Sequence, residues 1–183
     1  MDPLLLRFAQ RYVKPGHVVW DIGANVGLFS LAAASRAGPS GRVVSVEPDA
    51  GVANLLLRSV AVPNDARAPV QVLCAAVGQH LGIGELHIAK RSRSSSFTVG
   101  QGSTTTGGVS EIRSVITITL DWLLCHFPPP HVLKIDVEGA EVEVLRGAEQ
   151  VLTQECPVIL CEVFRPNVEV VTSLLKEAGL SSV

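Results

Sequence analysis

The segment Val18-Val19-Trp20-Asp21-Ile22-Gly23-Ala24-Asn25-Val26-Gly27 decides the fold. A short β-branched apolar run gives way to two glycines and then to a helical pattern over Val26 to Arg36, which reads as strand, tight turn and helix. Gly23 and Gly27 let a ligand approach the backbone N–H groups at the helix start, as any nucleotide-like cofactor requires. Asp21, with Asn25 and Leu28 where a dinucleotide fingerprint needs its second and third glycines, argues against a pyrophosphate. A carboxylate at that strand end suits a cation.

Outward from this segment, apolar runs alternate with helical stretches, the pattern of a mostly parallel sheet with helices on both faces, an α/β fold. A lead-in helix within residues 1–15 is stopped by Pro15-Gly16, and His17 to Asp21 is the first strand. Further strands are expected at 42–46, 70–74, 132–137 and 158–163, and further helices at 50–60, 140–153 and 168–178. Extended segments at 84–88 and 114–120 form a hairpin or rim insertion within residues 79–120. Between them, Ser, Thr and Gly make up 14 of the 19 residues from Ser92 to Ser110, a composition that suits either a surface loop or a lid over a pocket.

Acids recur at strand ends. Glu47, before Pro48, stands about 20 residues beyond the glycine turn, the spacing at which an acid accepts hydrogen bonds from ribose hydroxyls. Cys74 to Val77, with Ala75 and Ala76, would lie along an adenine in this topology. Lys134-Ile135-Asp136-Val137-Glu138-Gly139-Ala140-Glu141 repeats the strand-turn-helix form and puts Asp136 on the rim where ligands of open α/β sheets bind. Glu138 and Glu141 fall where a helix start also favours acids, and Glu162 ends the 158–163 strand on the same rim.

Composition sets the limits. The 183 residues make one domain's worth of chain, spanning 1–183, and a net charge of -2 gives no electrostatic reason to expect a nucleic-acid partner. Mean hydropathy is high at +0.36, yet no apolar run is long enough to span a bilayer. Without a secretory signal pattern at its start, the sequence reads as cytoplasmic. Cys74, Cys125, Cys156 and Cys161 form no C-x-x-C pair and read as packing residues in a reducing compartment.

Together, Asp21 to Gly27, Val46-Glu47-Pro48, Ala76-Val77-Gly78, Lys134 to Glu141 and Leu145-Arg146-Gly147-Ala148 resemble the FkbM family of S-adenosylmethionine-dependent methyltransferases. The resemblance implies a Rossmann-like class I methyltransferase fold, S-adenosylmethionine as cofactor, and a hydroxylated small molecule such as a sugar or secondary metabolite as acceptor. Asp21, Gly23, Ala24, Asn25, Gly27, Glu47, Ala75, Ala76 and Asp136 would hold the cofactor. Two features depart from the family: Ser59 and Pro63 replace its usual asparagines, and the sequence stops short of a C-terminal β-hairpin. Lacking that hairpin, the 157–163 strand is expected to be an exposed apolar edge and a route to self-association.

Asp136 is the first candidate for the base that takes the acceptor's proton, with Glu138, Glu141 and Glu162 in reserve. The acid-rich rim would admit a divalent metal, although nothing in the spacing demands one. Rival readings are a non-catalytic cofactor-binding domain, an NAD-dependent oxidoreductase and a nucleic-acid methylase. The last lacks its usual Asn-Pro-Pro-aromatic block after the Asp136 strand.

Overall fold

The computed structural model describes residues 3–89, 95–98 and 109–181. Helix α1 (Pro3–Tyr12) leads into β1 (Val18–Ile22), α2 (Leu28–Ala37), β2 (Arg42–Val46), α3 (Ala50–Val60) and β3 (Val70–Leu73). Strands β4 (Ala76–Val77), β5 (Gly82–Ala89), β6 (Ser95–Thr98) and β7 (Val109–Ile118) follow, then α4 (Leu120–Leu124). The chain continues through β8 (Val132–Ile135), α5 (Glu141–Arg146), a π-helical turn (Val151–Glu155) and β9 (Val158–Cys161). A 3-10 turn (Arg165–Asn167) and α6 (Val168–Glu177) complete it.

The main sheet has the order β3-β2-β1-β8-β9 and is parallel throughout. Side chains alternate across it with period two. Val19, Val43 and Val132 pack against Ala9 and Val13 of the first helical layer and against Phe29, Ala33 and Ala37 of α2. Trp20, Ile22, Val44, Val46, Leu133 and Ile135 pack on the opposite side with α4, α5, α6 and β4. Both faces are therefore covered, which is why the strands read as continuous apolar runs. Asp21, Ser45 and Lys134 share the parity of Val19, Val43 and Val132, so this polar row lies on the α2 side. The register places Asp21 beside Ser45 and Lys134.

A second sheet has the order β4-β7-β5-β6. β5 and β7 pair antiparallel from Gly82–Thr117 onward, and β4 joins β7 in parallel. The segment expected as a rim hairpin is thus part of a separate four-stranded sheet. The Ser92 to Ser110 stretch is not wholly loop: Ser95–Thr98 forms β6 against β5, and Val109 and Ser110 begin β7. The rest of that stretch, 92–94 and 99–108, on which the lid expectation also falls, lies outside the described residues.

Three further expectations need correcting. The helix expected over 140–153 stops at Arg146 because Gly147 abuts the backbone of Gly78; a Cβ there would sit 2.2 Å from the Gly78 carbonyl oxygen. It restarts where the Asp121 carboxylate accepts from the N–H groups of Gln150 and Val151, while Asp121 N–H donates to the Gly147 carbonyl. Residue Leu120, expected to be extended, opens α4, capped by Thr119 accepting from Trp122 N–H. Of the cysteines expected to pack, only Cys161 does, partly buried against the core, while Cys74, Cys125 and Cys156 are exposed; all four are free thiols.

At the ends of the main sheet lie β3 and β9, with Val158 of β9 41% exposed. Among the described residues no helix is long and apolar enough to cross a membrane.

Candidate active site

A cavity opens at the carboxyl ends of β1, β2 and β8, where the strand order reverses between β1 and β8. Ile22, Gly23 and Asn25 form one side, Val46, Glu47, Pro48 and Val52 a second, Ala75 to Val77 a third, and Asp136 to Glu138 the fourth. Three of these residues are acids and none is Lys, Arg or His.

The glycine turn is bonded almost entirely to itself and to β2. The N–H groups of Gly23 and Ala24 both donate to the Val46 carbonyl at 3.0 Å, and Gly27 N–H donates to Ala24. Asn25 N–H donates to Glu47 Oε2 at 2.9 Å, and Val26 N–H to Asn25 Oδ1 at 2.8 Å. Gly23 has φ +73, and a Cβ there would stand 1.8 Å from the Asp136 carbonyl oxygen. Only glycine permits this contact between the turns that follow β1 and β8.

Glu47 is 5% exposed, and its other oxygen accepts from Asp49 N–H at 2.9 Å. Burial pushes its carboxyl above the ordinary value, against the pull of the two N–H donors. Asp49 in turn caps α3 by accepting from Gly51 and Val52 N–H.

Asp21 is fully buried and does not line the cavity. Oδ2 accepts from Ser30 of α2 at 2.5 Å, and Ser30 accepts from Ser45 at 2.9 Å. Oδ1 receives no well-aligned hydrogen bond and is compensated by the charge of Lys134 Nζ at 3.2 Å. The cation that Asp21 meets in the structure is therefore the chain's own. Lys134 is 3% exposed, lies 3.2 Å from Asp136 Oδ2 and donates to the Gly23 carbonyl at 2.8 Å. Burial disfavours its ammonium, but the two carboxylates outweigh burial and raise its pKa. Lys134 stands in the sequence segment that singled out Asp136, yet its role emerges only from strand register.

Asp136 reaches the cavity with its side chain 29% exposed. Beside it, Glu138 lines the wall, is exposed and has φ +50, an uncommon backbone conformation for a non-glycine residue. Glu141 is 1% exposed: Oε1 accepts from Gly139 N–H at 2.6 Å and Oε2 from Asn167 at 2.8 Å. Asn167 also donates to the Gly139 carbonyl, so Glu141 and Asn167 pin the turn that carries Glu138. Glu162 is exposed beyond β9 and does not line the cavity. Nearby, burial and the charges of Glu141, Asp136 and Glu162 push the Cys161 thiol up to about 12. Of the other sequence candidates, Gly23, Asn25, Glu47, Ala75 and Ala76 line the cavity, while Ala24 and Gly27 do not. No group of three or more His, Cys, Asp or Glu able to hold a metal occurs among the described residues.

The sequence signature of the methyltransferase FkbM domain matches residues 21–180. A hexuronic acid methyltransferase of Haloferax volcanii, AglP, is 28% identical over 97% of this chain and 69% of its own length. An FkbM methyltransferase of Methylobacillus flagellatus superimposes with a TM-score of 0.60 at 15% identity over 93% of this chain, which spans 44% of that protein. A precorrin-6y C5,15-methyltransferase of Geobacter metallireducens gives 0.57 at 16% identity, covering 96% of this chain and 68% of that one. At these identities the structural matches speak for the Rossmann-like methyltransferase fold.

Proposed function

The chain belongs to the methyltransferase FkbM family, and from that premise we propose that it moves a methyl group from S-adenosylmethionine to a hydroxyl of a sugar-like small molecule. The observation that carries the cofactor reading is the charge of the cavity. Glu47, Asp136 and Glu138 stand on its wall, no described residue lining it is Lys, Arg or His, and the glycine turn has its N–H groups already bonded. A pyrophosphate would meet repulsion and few donors, which disfavours NAD; a ligand bearing a sulfonium and an ammonium would meet complementary charge.

In this reading each Glu47 oxygen, holding one backbone N–H, retains lone pairs for a ribose hydroxyl. Val52 and Ala75 to Val77 give a base an apolar wall. Bound there, S-adenosylmethionine supplies a methyl group on a sulfonium sulfur, which keeps the S–C bonding pair when the methyl leaves. Asp136 takes the proton released by the acceptor hydroxyl, directly or through a water. Glu141 and Asn167 keep the adjoining turn in place, and the rigid contact of Gly23 with Asp136 fixes the distance between the two halves of the site. Glu138, on the wall, and Glu162, further out, border the acceptor's side.

The Haloferax relative's name supports a sugar acceptor. Titration with S-adenosylmethionine and with NAD tests the cofactor: binding of NAD alone would overturn the reading. Hexuronates and neutral sugars, with and without magnesium, then test the acceptor by release of S-adenosylhomocysteine. An alkali-stable methyl ether is expected; an alkali-labile ester would move the reaction to a carboxylate.

A further inference from the structure

One buried cation is shared by two carboxylates at the floor of the site. Lys134 Nζ lies 3.2 Å from both Asp21 Oδ1 and Asp136 Oδ2, and it also holds the Gly23 carbonyl. Asp21 and Lys134 are nearly shut off from water, so their charges are poorly screened. Counted together, the three groups carry one surplus negative charge. The only member reaching the cavity is Asp136, so the surplus is presented there.

From this arrangement we infer that Lys134 is a positioning residue whose sharing between Asp21 and Asp136 makes the cavity prefer the sulfonium form of its cofactor over the demethylated thioether. Asp21 is buried and does not line the cavity. It draws part of the Lys134 charge away from Asp136, so that Asp136 is not neutralised by a partner of its own. Without Asp21 the ammonium would belong to Asp136 alone, and the floor of the cavity would be electrically neutral. The sulfonium carries one positive charge more than the thioether, while the two forms are otherwise alike in their amino-acid and adenosine groups. A surplus charge at the floor therefore separates substrate from product, favouring exchange of the product after transfer. The inference rests on the S-adenosylmethionine reading.

Isothermal titration of the full chain with S-adenosylmethionine and, separately, with S-adenosylhomocysteine tests it without reference to turnover. Wild type is expected to prefer the sulfonium. In Asp21→Asn the affinity for S-adenosylmethionine should fall about tenfold, and that for the thioether should change less than about twofold. The double variant Asp21→Asn/Lys134→Met removes one charge of each sign and restores the surplus on Asp136. It should recover the wild-type ratio of the two affinities even if both weaken from lost positioning. Equal loss of both ligands in Asp21→Asn, or a double variant that keeps the single variant's ratio, would overturn the inference, because packing alone would then account for Asp21. If Asp21→Asn does not fold, the ratio in the double variant decides the matter. Wild type that binds neither ligand would bring down the cofactor reading and this inference with it. Wild type that binds S-adenosylmethionine with a ratio indifferent to both changes would bring down the inference alone.

Discussion

The turns after β1 and β8 are built from similar sequence and do different work. Each follows an apolar strand, has an acid within two residues of that strand's end, and holds a non-glycine residue at positive φ, Asn25 at +51 and Glu138 at +50. Asp21 lies within β1, and strand parity sends it into the α2 layer. Asp136 lies one residue past the end of β8, where parity no longer binds it, and it reaches the cavity. A shift of two residues relative to the strand end thus separates a buried acid from one that reaches the cavity. Acids at strand ends are interchangeable in a sequence motif, but not in the sheet.

The strongest way to break the pair is at their point of contact. Gly23→Ala drives a Cβ into the Asp136 carbonyl at a backbone angle that disfavours side chains, and should destabilise the protein by about 4 kcal/mol with loss of cofactor binding. Denaturant unfolding within 1 kcal/mol of wild type would show that the two turns separate easily.

A subtler change sharpens the difference between the turns. Glycine relieves the left-handed strain at either site, yet asparagine tolerates that conformation better than glutamate, and Asn25 Oδ1 also accepts from Val26 N–H. Glu138→Gly should therefore be better tolerated than Asn25→Gly by about 1 kcal/mol in the same unfolding assay. The reverse order would mean that Glu138 is held in place by contacts worth more than its backbone strain.

The smallest effect concerns the far ends of these strands. His17 precedes β1 and His131 precedes β8; their rings stack with centroids 4.5 Å apart, and His131 Nδ1 accepts from Val18 N–H. Burial first, then the charges of His131 and Lys14, lower the His17 pKa below its ordinary 6.5. The folded state thus binds fewer protons than the unfolded state, so this contribution to stability is complete above pH 6.5 and declines as pH falls below it. Urea midpoints between pH 8 and 5 should show the decline, and His17→Gln should flatten it.

The sequence could reveal what local pattern controls. Helix α3 was legible over its full length, 50–60, from its helical period, and the structure adds the Asp49 cap; the glycine turn was legible from Gly23 and Gly27. Glu47, Asn25, Ala75, Ala76 and Asp136 could be placed on one rim because strand ends in a parallel sheet share an edge. Distant contacts hid the rest. The break at Gly147 depends on the carbonyl of Gly78, and the restart depends on Asp121, neither adjacent in sequence. Asp21 and Lys134 become partners only through the β1–β8 register, although the alternation of Val19 and Asp21 against Trp20 and Ile22 was a usable signal for the side to which Asp21 turns.

The internal bonding of residues 23–27 has a thermodynamic side. A loop that waits for its ligand before ordering subtracts that ordering entropy from the affinity it can deliver. Here the amides from Gly23 to Gly27 are already anchored on Val46, Glu47, Asn25 and Ala24. The pocket floor is preorganised, and a ligand entering it keeps for itself the free energy that a floppy loop would have absorbed.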